Sequence, residues 1–199
     1  LDELPENLAN AAAEAKDTLD AARDPQLSDI VLDRWCYQEM IQAAEDTGSA
    51  FLAGYVQAQI DASNLRSLVR TIRMGKSVEF LKAVLMEGGD VETSAMISVG
   101  AAGGTGLTEL YAPTRFQSAA EAGAEALRGG SLTEFEKRCD DAVGDYLAGA
   151  QFVPFGEAPL LGYLAARETE YTNIRILLMG RGAGLPADVI RSRLRAGYV

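Results

Sequence analysis

The sequence predicts an all-α fold made of repeated helical domains, with no sheet. Apolar residues recur at steps of three and four in several stretches, which is the spacing of one helix face. Glycine, proline and serine stand where these stretches break, as they do at helix ends. No run shows the alternation of β-branched residues that is typical of strands. Together these observations favour helices throughout.

Five helices are predicted up to residue 100. The first is rich in alanine and in straight-chain residues that favour a helix. The third is the longest and runs towards Gly75, whose conformational freedom suits a helix end. Prolines suit the first turn of a helix, and serine or aspartate suits the N-cap. The predicted first residues or caps are Pro5, Pro25, Ser49, Ser77 and Asp90.

The second half begins with a glycine-rich segment, 101–106, that predicts a loop. A helix is expected over 114–128, and Ser131 with Glu134 forms the capping-box pattern of the next helix. The last stretch predicts one long helix, a glycine corner and a short helix. The long helix carries a stripe at alternating steps of four and three, apolar except for one arginine: Leu160, Leu164, Arg167, Tyr171, Ile174 and Leu178.

The long-helix, glycine and short-helix arrangement occurs twice. A constant offset of 109 places residues 51–88 over residues 160–197 without a gap. Polar positions and corner glycines coincide, which shared helical composition does not explain. We infer two copies of one helical unit and expect two domains, 1–100 and 101–199. The matched pairs include Leu52/Leu161, Asn64/Asn173, Arg66/Arg175, Gly75/Gly184, Leu85/Leu194 and Gly88/Gly197.

Composition argues against several classes of function. The 199 residues carry a net charge of −11, and no basic stripe is present, so nucleic acid is not an expected partner. The same sign opposes binding to anionic lipid, and no apolar run approaches the roughly 20 residues that span a bilayer, so we expect no direct insertion into lipid. Because the chain starts at Leu1 without methionine, we expect that an N-terminal part is missing.

The sequence has no histidine and only two cysteines, Cys36 and Cys139, which lie far apart. Catalytic triads therefore lack their usual base, and structural zinc lacks its ligands. A reducing, cytoplasmic setting fits this cysteine usage. We expect no catalytic residue, no metal and no cofactor.

One polar motif occurs in both copies: an acid, two residues, then asparagine, an aliphatic residue and arginine. On a helix the acid and the asparagine share a face, whereas the arginine points elsewhere. The favoured interpretation is structural, with the acid and asparagine satisfying buried backbone groups. Docking of a partner stays open as the alternative. The motif residues are Asp61, Asn64 and Arg66, and Glu170, Asn173 and Arg175.

Two further clusters allow a binding hypothesis. Asp140, Asp141 and Asp145 resemble the aspartate-rich motif with which all-helical isoprenoid synthases hold magnesium and diphosphate. No second acidic motif and no nearby basic cluster accompanies them, so a solvated acidic face is favoured over this alternative enzyme. The second cluster is basic and is either a docking patch for an acidic partner or a solvated face: Arg181, Arg191, Arg193 and Arg195.

The C-terminal stretch resembles a known family. FGEAPLLGYLAARETEYTNIRILLMGRGAGLPADVIRSRLRAGYV, residues 155–199, closely resembles the C-terminal signature of the C subunit of archaeal and bacterial A/V-type rotary ATPases, the counterpart of the d subunit of eukaryotic V-ATPases. The earlier DRWCYQEM, YVQAQIDASNLRSLVR and EGGDV segments resemble the same family in the right order. The family's N-terminal third has no counterpart here.

This resemblance implies three similar helical domains arranged as a funnel, of which the chain holds two. It implies a non-catalytic rotor subunit, peripheral to the membrane on its cytoplasmic face. The implied partners are the D and F subunits of the central stalk and the membrane proteolipid ring. Such a subunit transmits torque during ATP-coupled proton or sodium transport and binds no nucleotide or metal itself.

Overall fold

The structure is a computed structural model that describes residues 5–197. This part of the chain contains ten α-helices and one short 3-10 helix and no strand, which confirms the predicted all-α fold. The elements are, in order, α1 (Glu6–Ala22), α2 (Pro25–Thr47), α3 (Ala50–Arg73), α4 (Val78–Val84), α5 (Thr93–Ala101), α6 (Leu107–Tyr111), α7 (Gln117–Leu127), α8 (Leu132–Ala148), the 3-10 helix (Gly149–Phe152), α9 (Ala158–Gly182) and α10 (Ala187–Arg193).

The chain separates by packing into two compact units, one up to residue 56 and one from residue 57 onward. The predicted domains 1–100 and 101–199 stay a prediction. The first unit pairs α1 with α2, and α1 buries alanines there. Polar contacts join the two helices: the Trp35 indole Nε1 donates to Glu14 Oε2 at 2.7 Å. Trp35 itself is half-buried.

The second unit is built around the part of α3 that follows residue 56. Leu65, Leu68 and Val69 of this helix are fully buried. Helix α7 covers them at Gly123, where an added Cβ would lie 3.0 Å from Val69 Cγ2 and 3.2 Å from Phe135 Cε2. A side chain at position 123 would push α7 away from α3 and α8. The glycine is therefore required by close helix packing.

Capping serines act largely as predicted. Ser49 Oγ accepts the N–H of Leu52 at 3.2 Å, and Ser77 Oγ accepts the N–H of Phe80 at 3.1 Å. Ser131 Oγ accepts the N–H of Glu134 at 3.3 Å, which forms half of the predicted capping box. The carboxylate of Glu134 instead pairs with Arg138, one turn further along α8.

Two predictions about helix boundaries are wrong, and one short helix was missed. Asp90 does not cap a helix, because its N–H donates to the Asp61 carboxylate and α5 starts only at Thr93. The helix predicted from 114 begins at Gln117, since the Thr114 hydroxyl accepts the N–H of Phe116 and holds a turn there. The five-residue helix α6 was not predicted. Short helices depend on tertiary contacts more than on local pattern.

The buried residues of α9 are all small: Ala158, Gly162 and Gly180. Ile190 of α10 packs so closely on Gly180 that an added Cβ would lie 2.8 Å from Ile190 Cγ1. The stripe predicted from the sequence, called the α9 stripe below, is exposed instead.

The contribution of the core can be tested by truncating Phe135 of α8, which is fully buried and lies against α7 at Gly123. We expect Phe135→Ala to lower the free energy of unfolding by about 3–5 kcal/mol, because it removes apolar contacts and leaves a cavity. Phe152→Ala is the matched control, since that ring is 80% exposed, and it should change little. Urea unfolding followed by circular dichroism measures both. Equal effects would contradict the described core.

Candidate functional site

Asn64 ties the long helix of the first copy to the segment after its short helix. The side chain is fully buried. Its Nδ2 donates to the carbonyl of Met86 at 2.7 Å, and the N–H of Met86 donates to its Oδ1 at 2.9 Å. The amide thus satisfies both backbone groups of one residue, which would otherwise be buried without partners. We call this pair of hydrogen bonds the asparagine clamp.

The second copy contains the same clamp. Asn173 Nδ2 donates to the carbonyl of Arg195 at 3.1 Å, and the N–H of Arg195 donates to Asn173 Oδ1 at 2.8 Å. In both copies the clamp joins residues that are 22 apart. The offset of 109 relates Asn64 to Asn173 and also Met86 to Arg195. The duplication inferred from the sequence is therefore present in the hydrogen bonding.

Asp61 performs a related task beside the first clamp. It is 1% exposed, and its carboxylate accepts the N–H groups of Asp90 at 3.0 Å and Val91 at 3.2 Å. Burial raises the pKa of Asp61 above its ordinary value, and the two N–H donors oppose that shift. A Cβ at position 89 would collide with this carboxylate, so Gly89 is needed where the chain passes the acid.

The remaining motif residues differ between the copies. Glu170, which corresponds to Asp61, is exposed and pairs with Arg167 on its own helix. By the same offset Asp90 corresponds to position 199, which lies outside the described residues. Val91 has no counterpart in the given sequence. Arg66 contacts α8, whereas its counterpart Arg175 is exposed. Only the asparagine keeps the same role in both copies.

Asp140 of α8 connects the two copies. One carboxylate oxygen pairs with Arg66 of α3, and the other accepts from Arg195 Nε at 2.6 Å. Arg195 is the residue whose backbone Asn173 holds, so the clamp and the ion pair fix the same segment. Arg66 also contacts Glu136, one turn before Asp140, at 3.1 Å. The acidic face of α8 is therefore an internal contact between the first and second copies.

The aspartates of the magnesium alternative do not form a cation site. Asp141 pairs with Lys137 at 2.7 Å and accepts the N–H of Ala196 at 3.3 Å, while Asp140 is held by two arginines. Asp145 is exposed. Across residues 5–197, no group of three or more His, Cys, Asp or Glu side chains is arranged to hold a metal ion. Asp140 and Asp141 are instead engaged by basic groups and a backbone N–H donor.

The arginines proposed as a docking patch divide into two groups. Arg195 is half-buried in the internal ion pair. Arg181, Arg191 and Arg193 are exposed on α9 and α10.

Sequence reasoning missed Glu136 and Gly89, since neither belongs to a repeated motif. The signal for Gly89 was its place in the EGGDV segment, residues 87–91, where the first repeat ends.

The chain matches the family model of the ATP synthase (C/AC39) subunit over residues 1–193. The chain belongs to this family. The C subunit of the V-type sodium ATPase of Enterococcus hirae is 24% identical over 196 residues, which is 98% of this chain and 60% of that protein. The C subunit of the A-type ATP synthase of Halobacterium salinarum is 32% identical over 154 residues, 76% of this chain and 44% of that protein.

Among further relatives, the corresponding A-type ATP synthase subunit of Methanocaldococcus jannaschii is 30% identical over 70% of this chain and 36% of that protein. No solved structure matches significantly. The chain spans about half the length of the curated relatives it matches. The C/AC39 family is a non-catalytic, structural subunit of a membrane-associated rotary ATPase, in agreement with the prediction that the chain is not an enzyme. Within the described part of this family member, no helix could cross a bilayer.

Replacing the clamp asparagine by alanine should lower the free energy of unfolding more in the first copy than in the second. Asn64→Ala should lower the free energy of unfolding by about 2–4 kcal/mol, because both backbone groups of Met86 lose a buried partner. Asn173→Ala should cost about 1 kcal/mol or less, since that amide is half-buried and water can replace it. Asn10→Ala on the exposed face of α1 is the control. Urea unfolding compares the three, and a larger loss at Asn173 would contradict the assigned burial.

The raised pKa of Asp61 predicts that this residue stabilises the fold more at mildly acidic pH than at neutral pH. Its pKa is raised in the fold, so between the unfolded pKa and the folded pKa the native state binds more protons than the unfolded state. Its contribution to stability therefore increases as pH falls through that window and decreases as pH rises. The free energy of unfolding of the wild type relative to Asp61→Asn should increase from neutral to mildly acidic pH. A constant difference between the two proteins would contradict the raised pKa.

Proposed function

We propose that this chain is a rotor component of a V/A-type ATPase that links the D and F subunits of the central stalk to the membrane proteolipid ring. It transmits torque during ATP-coupled transport of protons or sodium ions and lies on the cytoplasmic face as a peripheral component. The observation that carries this proposal is the family match over residues 1–193. The matched family is one particular subunit of the ATP synthase.

The internal ties support a mechanical role. Asn64 and Asn173 hold the segments that follow the short helices, and Asp140 joins both copies through two arginines. Torque passes through a protein only if its elements keep their relative positions under load. Buried hydrogen bonds and half-buried ion pairs fix geometry more narrowly than apolar contacts, because they depend on direction as well as distance.

The surface charge supports docking of a partner at the C-terminal end. Arg181, Arg191 and Arg193 are exposed in a chain whose net charge is −11. Exposed basic residues in one segment of an acidic protein help to orient an approaching acidic partner. These three arginines are the proposed electrostatic contact with a neighbouring subunit.

Copurification tests the proposal. The chain, expressed with the D and F subunits and with the proteolipid ring, should be retained by the stalk and by the ring at low and moderate salt. The triple variant Arg181→Glu, Arg191→Glu, Arg193→Glu should lose retention most clearly at low salt, where charge attraction is least screened. Lys16→Glu reverses an exposed charge on α1 and should be retained like the wild type.

The outcomes separate the two parts of this proposal. If neither the stalk nor the ring retains the wild type, the linking role is wrong. If both retain the triple variant as well as the wild type, the linking role stands and the arginines are not a contact.

A further inference from the structure

Helices α9 and α10 with the segment that follows them, residues 158–197, form one internally tied element, called the α9–α10 arm below. Ile190 of α10 packs closely on Gly180 of α9. Asn173 of α9 holds both backbone groups of Arg195. All of these contacts lie within the arm, so they keep their partners if the arm moves as one piece.

The chain enters the arm through residues 153–157, called the hinge below. Every residue of the hinge is exposed, and the ring of Phe155 is 85% exposed. Gly156 has a φ of 94°, a backbone conformation that residues with a side chain rarely adopt. Segments with few buried contacts change conformation at a low free-energy cost. Rotation at the hinge therefore disturbs little packing.

The arm buries little apolar surface against the rest of the chain. Of the three buried residues of α9, Gly180 is covered by Ile190 of the arm itself. The other two, Ala158 and Gly162, stand in the first two turns of α9, directly after the hinge. The free energy of burial scales with apolar area, and alanine and glycine supply little of it. The corresponding helix α3 buries large aliphatic side chains instead.

Two polar contacts join the end of the arm to α8, and we call them the latch. Arg195 Nε donates to Asp140 Oδ2 at 2.6 Å, and the N–H of Ala196 donates to Asp141 Oδ1 at 3.3 Å. The clamp holds Arg195 beside Asn173, which is about 22 Å along α9 from its first residue at the usual rise of a helix. The latch therefore holds the arm at a distance from the hinge.

Opening the latch leaves its carboxylates with partners. Asp140 keeps its pair with Arg66, and Asp141 keeps its pair with Lys137 at 2.7 Å. The side chains of Asp140 and Arg195 are 41% and 22% exposed, so both are accessible to water. Ion pairs in such positions contribute a small net free energy and weaken as the salt concentration rises. The latch thus orients the arm without committing it to one position.

We propose that the α9–α10 arm is a movable element, fixed against α8 by the latch and free to turn about the hinge when the latch opens. The asparagine clamp of Asn173 travels with the arm. The corresponding segment of the first copy has no such freedom, because Asn64 and Asp61 hold it through fully buried side chains. Salt or a competing charged group releases the arm without unfolding it. This movement requires none of the proposed partner subunits.

Distances between spin labels on the arm and on α8 test this. Leu178→Cys on α9 and Asp145→Cys on α8 carry the labels in a Cys36→Ser background, since both positions are exposed and Cys139 is buried. Pulsed electron paramagnetic resonance should show one main distance at low salt and a second population that grows in about 1 M salt, where charge attraction is screened within a few ångströms. Leu178→Cys with Asp188→Cys labels two positions within the arm and should keep one distance throughout.

Arg195→Gln isolates the latch. This variant removes the guanidinium that reaches Asp140 but keeps the backbone groups held by Asn173, and Arg66 still pairs with Asp140. The ratio of released to fixed arm should rise by about twofold to fivefold at low salt, as expected for a partly exposed ion pair, and should lose most of its salt dependence. Arg175→Gln makes the same chemical change at an exposed position of α9 and should leave the ratio unchanged. Circular dichroism shows whether each variant is folded.

Three results would overturn the proposal. A single arm-to-α8 distance in folded Arg195→Gln at every salt concentration would mean that the arm is fixed without its latch. Broadening of both label pairs would mean that the arm unfolds instead of turning. An equal response to salt in the wild type and in Arg195→Gln would mean that the pair with Asp140 does not hold the arm.

Discussion

The second unit depends on the buried side-chain amide of Asn64, which takes the place of a backbone hydrogen-bond partner. Asn64 lies in the middle of α3 and satisfies both polar groups of Met86, 22 residues further on. No apolar residue of similar size could do this, because the backbone N–H and carbonyl would remain unpaired in the core. The clamp sets the course of the chain after α4, and Asp61 then receives the next two N–H groups where Gly89 allows close approach.

The two copies share this constraint and differ in nearly everything that surrounds it. In the first copy, α7 and α8 approach α3 at Val69, and Ala58 and Ala62 of α3 are buried. In α9 the corresponding positions are Arg167 and Tyr171, and the helix face is exposed. Duplication thus preserved the hydrogen bonds that close the unit, while the outer face changed from a core surface to an uncovered one.

Much of the fold could be predicted because its signals are local. A capping serine is recognised from residues close to it in sequence, and Ser77 caps its helix as predicted. The repeat is found by comparing the sequence with itself, and Asn173 makes the backbone hydrogen bond that this comparison predicts. The role of Asp140 could not be predicted, because its partners Arg66 and Arg195 come from distant segments. The α9 stripe looks like a core face to any argument from periodicity, since spacing specifies a face and not what covers it.

The contacts of Asp140 that connect the two copies are ion pairs, and this has a physical consequence. A half-buried pair such as Arg195 with Asp140 adds little net stability, since removing water from both charges offsets most of their attraction. What the pair provides is direction: a carboxylate held between two guanidinium groups has few alternative arrangements, whereas apolar side chains can slide and repack. Asp140 therefore resists relative movement of Arg66 and Arg195 more than it resists unfolding. The proposed transmission of torque would require this kind of resistance.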